Sequence, residues 1–166
     1  MRVSESLINE EHDIMERVSG LPIDALALAV MSNLWRASQA FRNEMEQQIL
    51  RDYNLTFSSF STLFIVWIWG PLGMSAIAES QSVARSTISS TVNGLEKKGW
   101  VNRVHMGKDG DGRSIKVELT KDGRALIEEV FPKFNAGEKS FVEGLSKDEA
   151  ETLAFLLRKL LKAKNT

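Results

Sequence analysis

Apolar residues recur every three or four positions along most of the chain, the spacing of helices that bury one face and expose the other. Leu7, Ile8, Ile14, Met15 and Val18 mark a first amphipathic segment, which Gly20 and Pro22 end. Asp24 is placed to cap a long second helix, where Val30, Leu34, Phe41, Met45 and Ile49 carry the period to about Tyr53. A turn at Asn54-Leu55-Thr56 precedes a helix from Phe57 to Trp69, closed by Gly70-Pro71-Leu72-Gly73.

The period then shortens. A brief helix from Ser75 to about Ser80 leads through a polar turn at Ser82 into a helix from about Arg85 to Lys98, ending at Gly99. Trp100 to Met106 and Ser114 to Leu119 read as strands, the second alternating Ile115, Val117 and Leu119 with Lys116 and Glu118. Three glycines in Gly107-Lys108-Asp109-Gly110-Asp111-Gly112 suit a hairpin tip. Thr120 begins another helix, expected to break or bend at Pro132. Ser146 and Glu149 form a capping box for a last helix lined by Leu153, Leu156, Leu157, Leu160 and Leu161.

This order predicts a mainly α protein with a small β-hairpin, an α+β winged helix-turn-helix flanked by N- and C-terminal dimerisation helices. The expected divisions are an N-terminal arm with a short helix (1–22), dimerisation helices (23–55 and 120–166) and a DNA-binding lobe (56–119).

Composition removes whole classes of function. With 166 residues, 43% of them hydrophobic, the chain can bury a core in one domain. It has no cysteine, so disulfide, thiol and cysteine-zinc chemistry are excluded, and its two histidines, His12 and His105, cannot build a histidine metal site or a plausible triad. No cofactor, no metal and no enzymatic activity are expected. The acidic start lacks the basic, then apolar, pattern of a signal peptide, and the apolar run from Leu63 to Trp69 is far below the ~20 residues that span a bilayer. A cytoplasmic protein without a membrane partner is the expectation.

A net charge of −1 argues at first against a polyanion partner. Its distribution reverses that. From Val83 to Glu118 seven basic side chains stand against four acidic ones, so the predicted helix and wing carry +3 and the remainder −4. Counterion release acts on the local surplus. On the helix from Arg85, the inward residues Ile88, Val92 and Leu95 leave Arg85, Ser86, Ser89, Ser90 and Asn93 outward with Thr87 at the edge, small polar groups suited to a major groove about 12 Å wide. By composition alone, the same face could be an ordinary solvated one.

Met74 to Leu119 resembles the DNA-binding part of the MarR family of bacterial transcriptional regulators. The likeness rests on Ser75-Ala76-Ile77-Ala78-Glu79, Arg85-Ser86-Thr87-Ile88, Leu95-Glu96-Lys97-Lys98-Gly99-Trp100-Val101, Asp111-Gly112-Arg113 and Val117-Glu118-Leu119-Thr120, in that order. The flanking elements extend it over nearly the whole chain from Asp24. The resemblance implies a ligand-responsive regulator of double-stranded DNA, with Arg113 entering the minor groove or touching its phosphates, Asp111 orienting it and Lys108 nearby. The wing keeps one Asp-x-Arg repeat where relatives commonly carry two. Ala84 stands where many relatives have a serine cap, and Ser90 where they often have arginine.

The resemblance also implies a homodimer, with Leu153, Phe155, Leu156, Leu157 and Leu160 as the expected contacts; the alternative is that they form intramolecular core. It implies an effector pocket too. Tyr53, Phe57, Phe60, Phe64, Trp67 and Trp69 put six of the thirteen aromatic residues into seventeen positions, and Trp35 and Phe41 lie on the long helix. The expected lining is Trp35, Phe57, Phe60, Phe64 and Trp67, with Arg36 or Arg42 anchoring the carboxylate of a small aromatic or phenolic acid, or its thioester. An aromatic stripe at helical spacing can equally be core. Absence of cysteine and scarcity of histidine leave an organic effector rather than a redox or metal signal. The expected action is repression from a palindromic operator, relieved by the effector. A winged-helix module for protein–protein interaction, without sequence-specific DNA binding, is the competing reading.

Overall fold

The computed structural model describes residues 3–105 and 115–163, with side chains from Glu10 onward. Two compact units divide it, residues 1–42 and 43–166. The first holds α1 (Val3–Val18) and the larger part of α2 (Ala25–Gln48). Asp24 Oδ1 accepts from the Ala27 amide at 2.9 Å, the cap expected for a helix whose first turn lacks internal partners. Two polar pairs tie α1 to α2: Asn33 Nδ2 donates to Glu11 Oε2 at 3.1 Å, and Arg36 lies 3.9 Å from Glu10. Leu26, Val30, Met31, Leu34 and Trp35 are exposed in this single chain.

The second unit begins with the end of α2. The helix stops at Gln48, not at Tyr53 as the apolar period suggested, and Leu50–Tyr53 forms a 3-10 helix. Asn54 follows at φ 53°, in the left-handed region, and the Leu55 amide returns to the Leu50 carbonyl at 3.0 Å. Burial of Leu50 and Leu55 outweighs continuation of the α-helix. Next come α3 (Phe57–Trp69), capped by Thr56, then β1 (Leu72–Gly73), α4 (Met74–Ser80) and α5 (Arg85–Lys97). β2 (Val101–His105), β3 (Ile115–Leu119), α6 (Lys121–Phe141) and α7 (Lys147–Lys162) complete the unit.

The expected hairpin is part of a three-stranded antiparallel sheet in the order β1-β3-β2. Val101 faces Leu119 and Arg103 faces Val117, while Leu72 pairs with Val117 from the other side. β1 grows from the segment that the sequence marked only as a stop, because two residues are too few to show alternation. Apolar residues of α3, α4, α5 and the sheet meet in one core: Leu63, Ile65, Val66, Ile77, Ile88, Val92, Leu95, Val101 and Val117 are all buried.

α6 runs unbroken through Pro132, so the expected break does not occur. The ring removes one hydrogen bond to the preceding turn, and packing of Val130 and Phe134, both buried, holds the helix across that gap. Two glycines let α6 approach its neighbours closely. A Cβ on Gly123 would lie 1.9 Å from the Trp100 carbonyl oxygen, and one on Gly137 would lie 2.7 Å from Met45 Sδ. α7 opens with the predicted capping box, Ser146 Oγ and Glu149 bonding reciprocally, and this bonding holds the Glu149 carboxyl below its usual range.

Candidate nucleic-acid interface

α4 and α5 form the helix-turn-helix. α4 ends where Ser82 adopts φ 53°: the Ser82 amide donates to the Glu79 carbonyl and the Val83 amide to that of Ala78, both at 3.0 Å. This paired bonding reverses the chain in a few residues. α5 then starts at Arg85, with Ala84 in the cap position and no side-chain capping bond. It ends by the same device at Gly99 (φ 75°), whose amide donates to Glu96 at 2.9 Å while that of Trp100 donates to Leu95 at 3.0 Å. Both boundaries of the helix are thus set locally, and its rotation about its own axis is set by burial of Ile88, Val92 and Leu95.

That rotation decides what faces outward. Arg85, Ser86, Ser90 and Asn93 are exposed as expected, whereas Thr87, expected at the edge, is exposed too and Ser89, expected outward, is half-buried. Thr91 is on the inner flank, where its hydroxyl donates to the Thr87 carbonyl at 3.0 Å and lies 3.3 Å from Ser58 of α3. Gln81 Nε2 donates to the buried Thr62 hydroxyl at 2.8 Å, tying the turn to α3. Lys108, Asp111 and Arg113 of the wing tip lie outside the described residues.

One residue that sequence reasoning did not assign is joined to this face. Arg103, on β2, donates through Nη1 to Glu96 and through Nη2 to Asn93 Oδ1. The opposite charges of Glu96 and Arg103, seven residues apart across a helix end and a strand start, were the available signal. Lys98 Nζ donates to the Asn54 carbonyl and sits 4.8 Å from the centre of the Trp100 ring.

A family profile for the MarR family matches residues 55–115, a span that includes α3, α4, α5 and β2. An uncharacterised HTH-type transcriptional regulator of Bacillus subtilis (strain 168), YwaE, is 35% identical over 159 residues, covering 94% of this chain and 92% of that one. The chain belongs to the MarR family. MarR proteins are DNA-binding transcriptional regulators, not enzymes. A solved structure of Bordetella bronchiseptica BpsR, a protein whose DNA binding is regulated by 6-hydroxynicotinic acid, matches with a TM-score of 0.72 and 28% identity over 80% of this chain and 98% of that one. Escherichia coli MarR with a C80S substitution, solved with operator DNA, shares the fold at a TM-score of 0.72 and 22% identity, over 81% of this chain and 95% of that one.

The other expected site residues of this MarR regulator divide between the two units. Trp35, 65% exposed, and Arg36 and Arg42 belong to the first. Arg36 lies 3.9 Å from Glu10, and among the described residues its Nη1 is buried without a hydrogen-bond partner. Phe57, Phe60, Phe64 and Trp67 belong to the second, where they line α3 against α6. Phe60 is core, stacked on Phe134 at 4.1 Å; Phe57, Phe64 and Trp67 are half-buried, the last two against Phe131 at 5.2 and 5.6 Å. On α7, Leu153, Phe155, Leu156 and Leu160 are exposed and Leu157 is half-buried. Among the described residues no helix is long and apolar enough to cross a membrane, and no group of His, Asp and Glu could hold a metal ion.

Proposed function

We propose that this regulator is a homodimeric repressor which lays α5 of each subunit in the major groove at successive half-sites of a palindromic operator. The observation that carries the reading is the outward polar face of α5, held at a fixed rotation by three fully buried apolar residues. Arg85, Ser86, Thr87, Ser89, Ser90 and Asn93 supply donors and acceptors for base edges and phosphates, and Lys108, Asp111 and Arg113 extend the contact along the wing. The exposed stripe Leu153, Phe155, Leu156 and Leu160 supports pairing of subunits, because a single chain leaves it in water.

A small aromatic acid or its thioester is the proposed effector. Two separate observations support it: among the described residues the Arg36 Nη1 has no partner, which suits a carboxylate, and, in the other unit, the half-buried rings of Phe64 and Trp67 suit an aromatic surface. Release would follow from tighter ligand binding to a conformation that DNA does not accept.

Gel shifts with DNA from just upstream of the protein's own gene test the reading. Arg85→Ala combined with Arg113→Ala should weaken binding at least tenfold, on the order of 1–3 kcal/mol per lost contact, with the dimer intact by light scattering. Salt-dependent operator binding that survives the double substitution would refute the site assignment and favour a protein partner for the winged helix.

A further inference from the structure

The bonding around Arg103 limits what one exposed side chain of α5 can recognise. Arg103 stands on β2 opposite Val117, and its side chain is 24% exposed. Glu96 accepts from its Nη1 and Asn93 from its Nη2, so the guanidinium is held between two positions of the recognition helix. A guanidinium has five N–H donors and no acceptor. Only the carbonyl end of the Asn93 amide can therefore face it, and the orientation of that amide follows from chemistry alone. A free asparagine offers a donor and an acceptor side by side, the pair that matches N7 and N6 of adenine. With Oδ1 turned to Arg103, Asn93 presents Nδ2 as its outward group.

We infer that Arg103 is a positioning residue that makes Asn93 a donor-only reader of DNA, directed to an acceptor: N7 of either purine, O6 of guanine, O4 of thymine, or a phosphate oxygen. Glu96 completes the device by fixing the guanidinium on its other edge and offsetting its charge. Arg103 thus acts on DNA through Asn93 and not as a free cation. The inference rests on the reading of α5 as the helix that meets DNA.

Full-length protein and a randomised duplex pool test it, by selection of preferred sites followed by titration on the selected sequence. Asn93→Ala distinguishes the two sources of acceptor: loss of preference at one base pair per half-site marks a base, and an even loss across sequences marks a phosphate. In the first case Arg103→Met should raise the relative affinity for adenine at that base pair about tenfold. In the second it should lower affinity evenly, about threefold, since the amide is no longer held. In either case Arg103→Met should have no further effect once Asn93 is alanine, and Arg103→Lys, which keeps a donor, should stay within about twofold of the parent. Equal effects of Arg103→Met with and without Asn93 would overturn the inference, and should the Met variant melt at room temperature, a change of clearly more than twofold on Arg103→Lys would overturn it instead. A parent protein that selects no sequence would overturn the reading of α5 as well; selection with additive effects would overturn the Arg103 relay alone.

Discussion

In the lobe from Phe57 to Leu119, the apolar stripes of α3, α4 and α5 close on one another and on the sheet, leaving Ile77, Ile88, Val92, Val101 and Val117 without measurable exposure. α7 has an equally regular stripe and no buried residue at all; Phe155 is 59% exposed and Leu156 47%. Amphipathic periodicity is the same in both regions, and what differs is whether the complementary surface lies within the chain. The lobe carries its partners in its own sequence. α7 buries none of its stripe within the described chain, which is why an apolar period predicts a helix far better than it predicts what covers it.

The sharpest way to break this comparison is through the lobe. Gly123→Val should destabilise the chain by about 3 kcal/mol or more, because the new side chain meets backbone at Trp100 and cannot be relieved by a rotamer change. Urea unfolding measures it; a loss below about 1 kcal/mol would mean that the lobe yields more readily than its burial suggests. Leu156→Asp should do the reverse. It leaves the folded single chain nearly unchanged but raises the dimer dissociation constant at least tenfold, roughly the 1.5–3 kcal/mol of one buried leucine. Sedimentation equilibrium reads that change, and an unaltered dimer would place the subunit contact elsewhere.

The smallest effect concerns the join between the 3-10 helix and α6. The Tyr53 hydroxyl donates to Glu129 at 2.8 Å and accepts from Lys133, whose ammonium also lies 5.0 Å from the ring centre. The bond from Tyr53, then Lys133, holds the Glu129 carboxyl below its usual range, while the bond to Tyr53, then Glu129, raises Lys133. A lowered carboxyl stabilises above its unfolded pKa and loses that contribution as pH falls through its folded value; a raised ammonium stabilises below its unfolded pKa and loses it as pH rises through its folded one. Tyr53→Phe should therefore cost a little at pH 7, and less once the pH has fallen through the folded value of Glu129, while the part that runs through Lys133 remains; the effect is small because Glu129 and Lys133 are exposed and solvent-screened. Urea midpoints at several pH values check it, and a cost that does not fall with pH would show that the bond to Glu129 contributes nothing.

How far the sequence could be read follows the same division between local and distant causes. The apolar seam of α5, the stop at Gly99 and the caps at Asp24, Thr56, Thr120 and Ser146 depend on neighbours within a few residues, and each was legible. β1 was not, because its two residues pair with a strand more than forty positions later. The end of α2 at Gln48 was decided by burial of Leu50 and Leu55, which no helical period reports. Among the site residues, the polar face of α5 was visible from its apolar seam. Arg103 was hidden, since a strand pattern says which way a side chain alternates and not which amide it will hold. The α3 aromatics were recognised as a cluster, but their partners Phe131 and Phe134 lie about seventy residues further on.

Gly123 and Gly137 are fourteen residues apart on α6, about 21 Å along its axis. The first presses the helix against the carbonyl where the sheet begins, and the second against the side chains that end α2. A stiff rod gripped at both ends transmits tilt rather than absorbing it: a rotation of about 5° at one grip displaces the other by about 2 Å over that length. α6 is in this sense a lever, and each of its grips depends on a side chain that is not there.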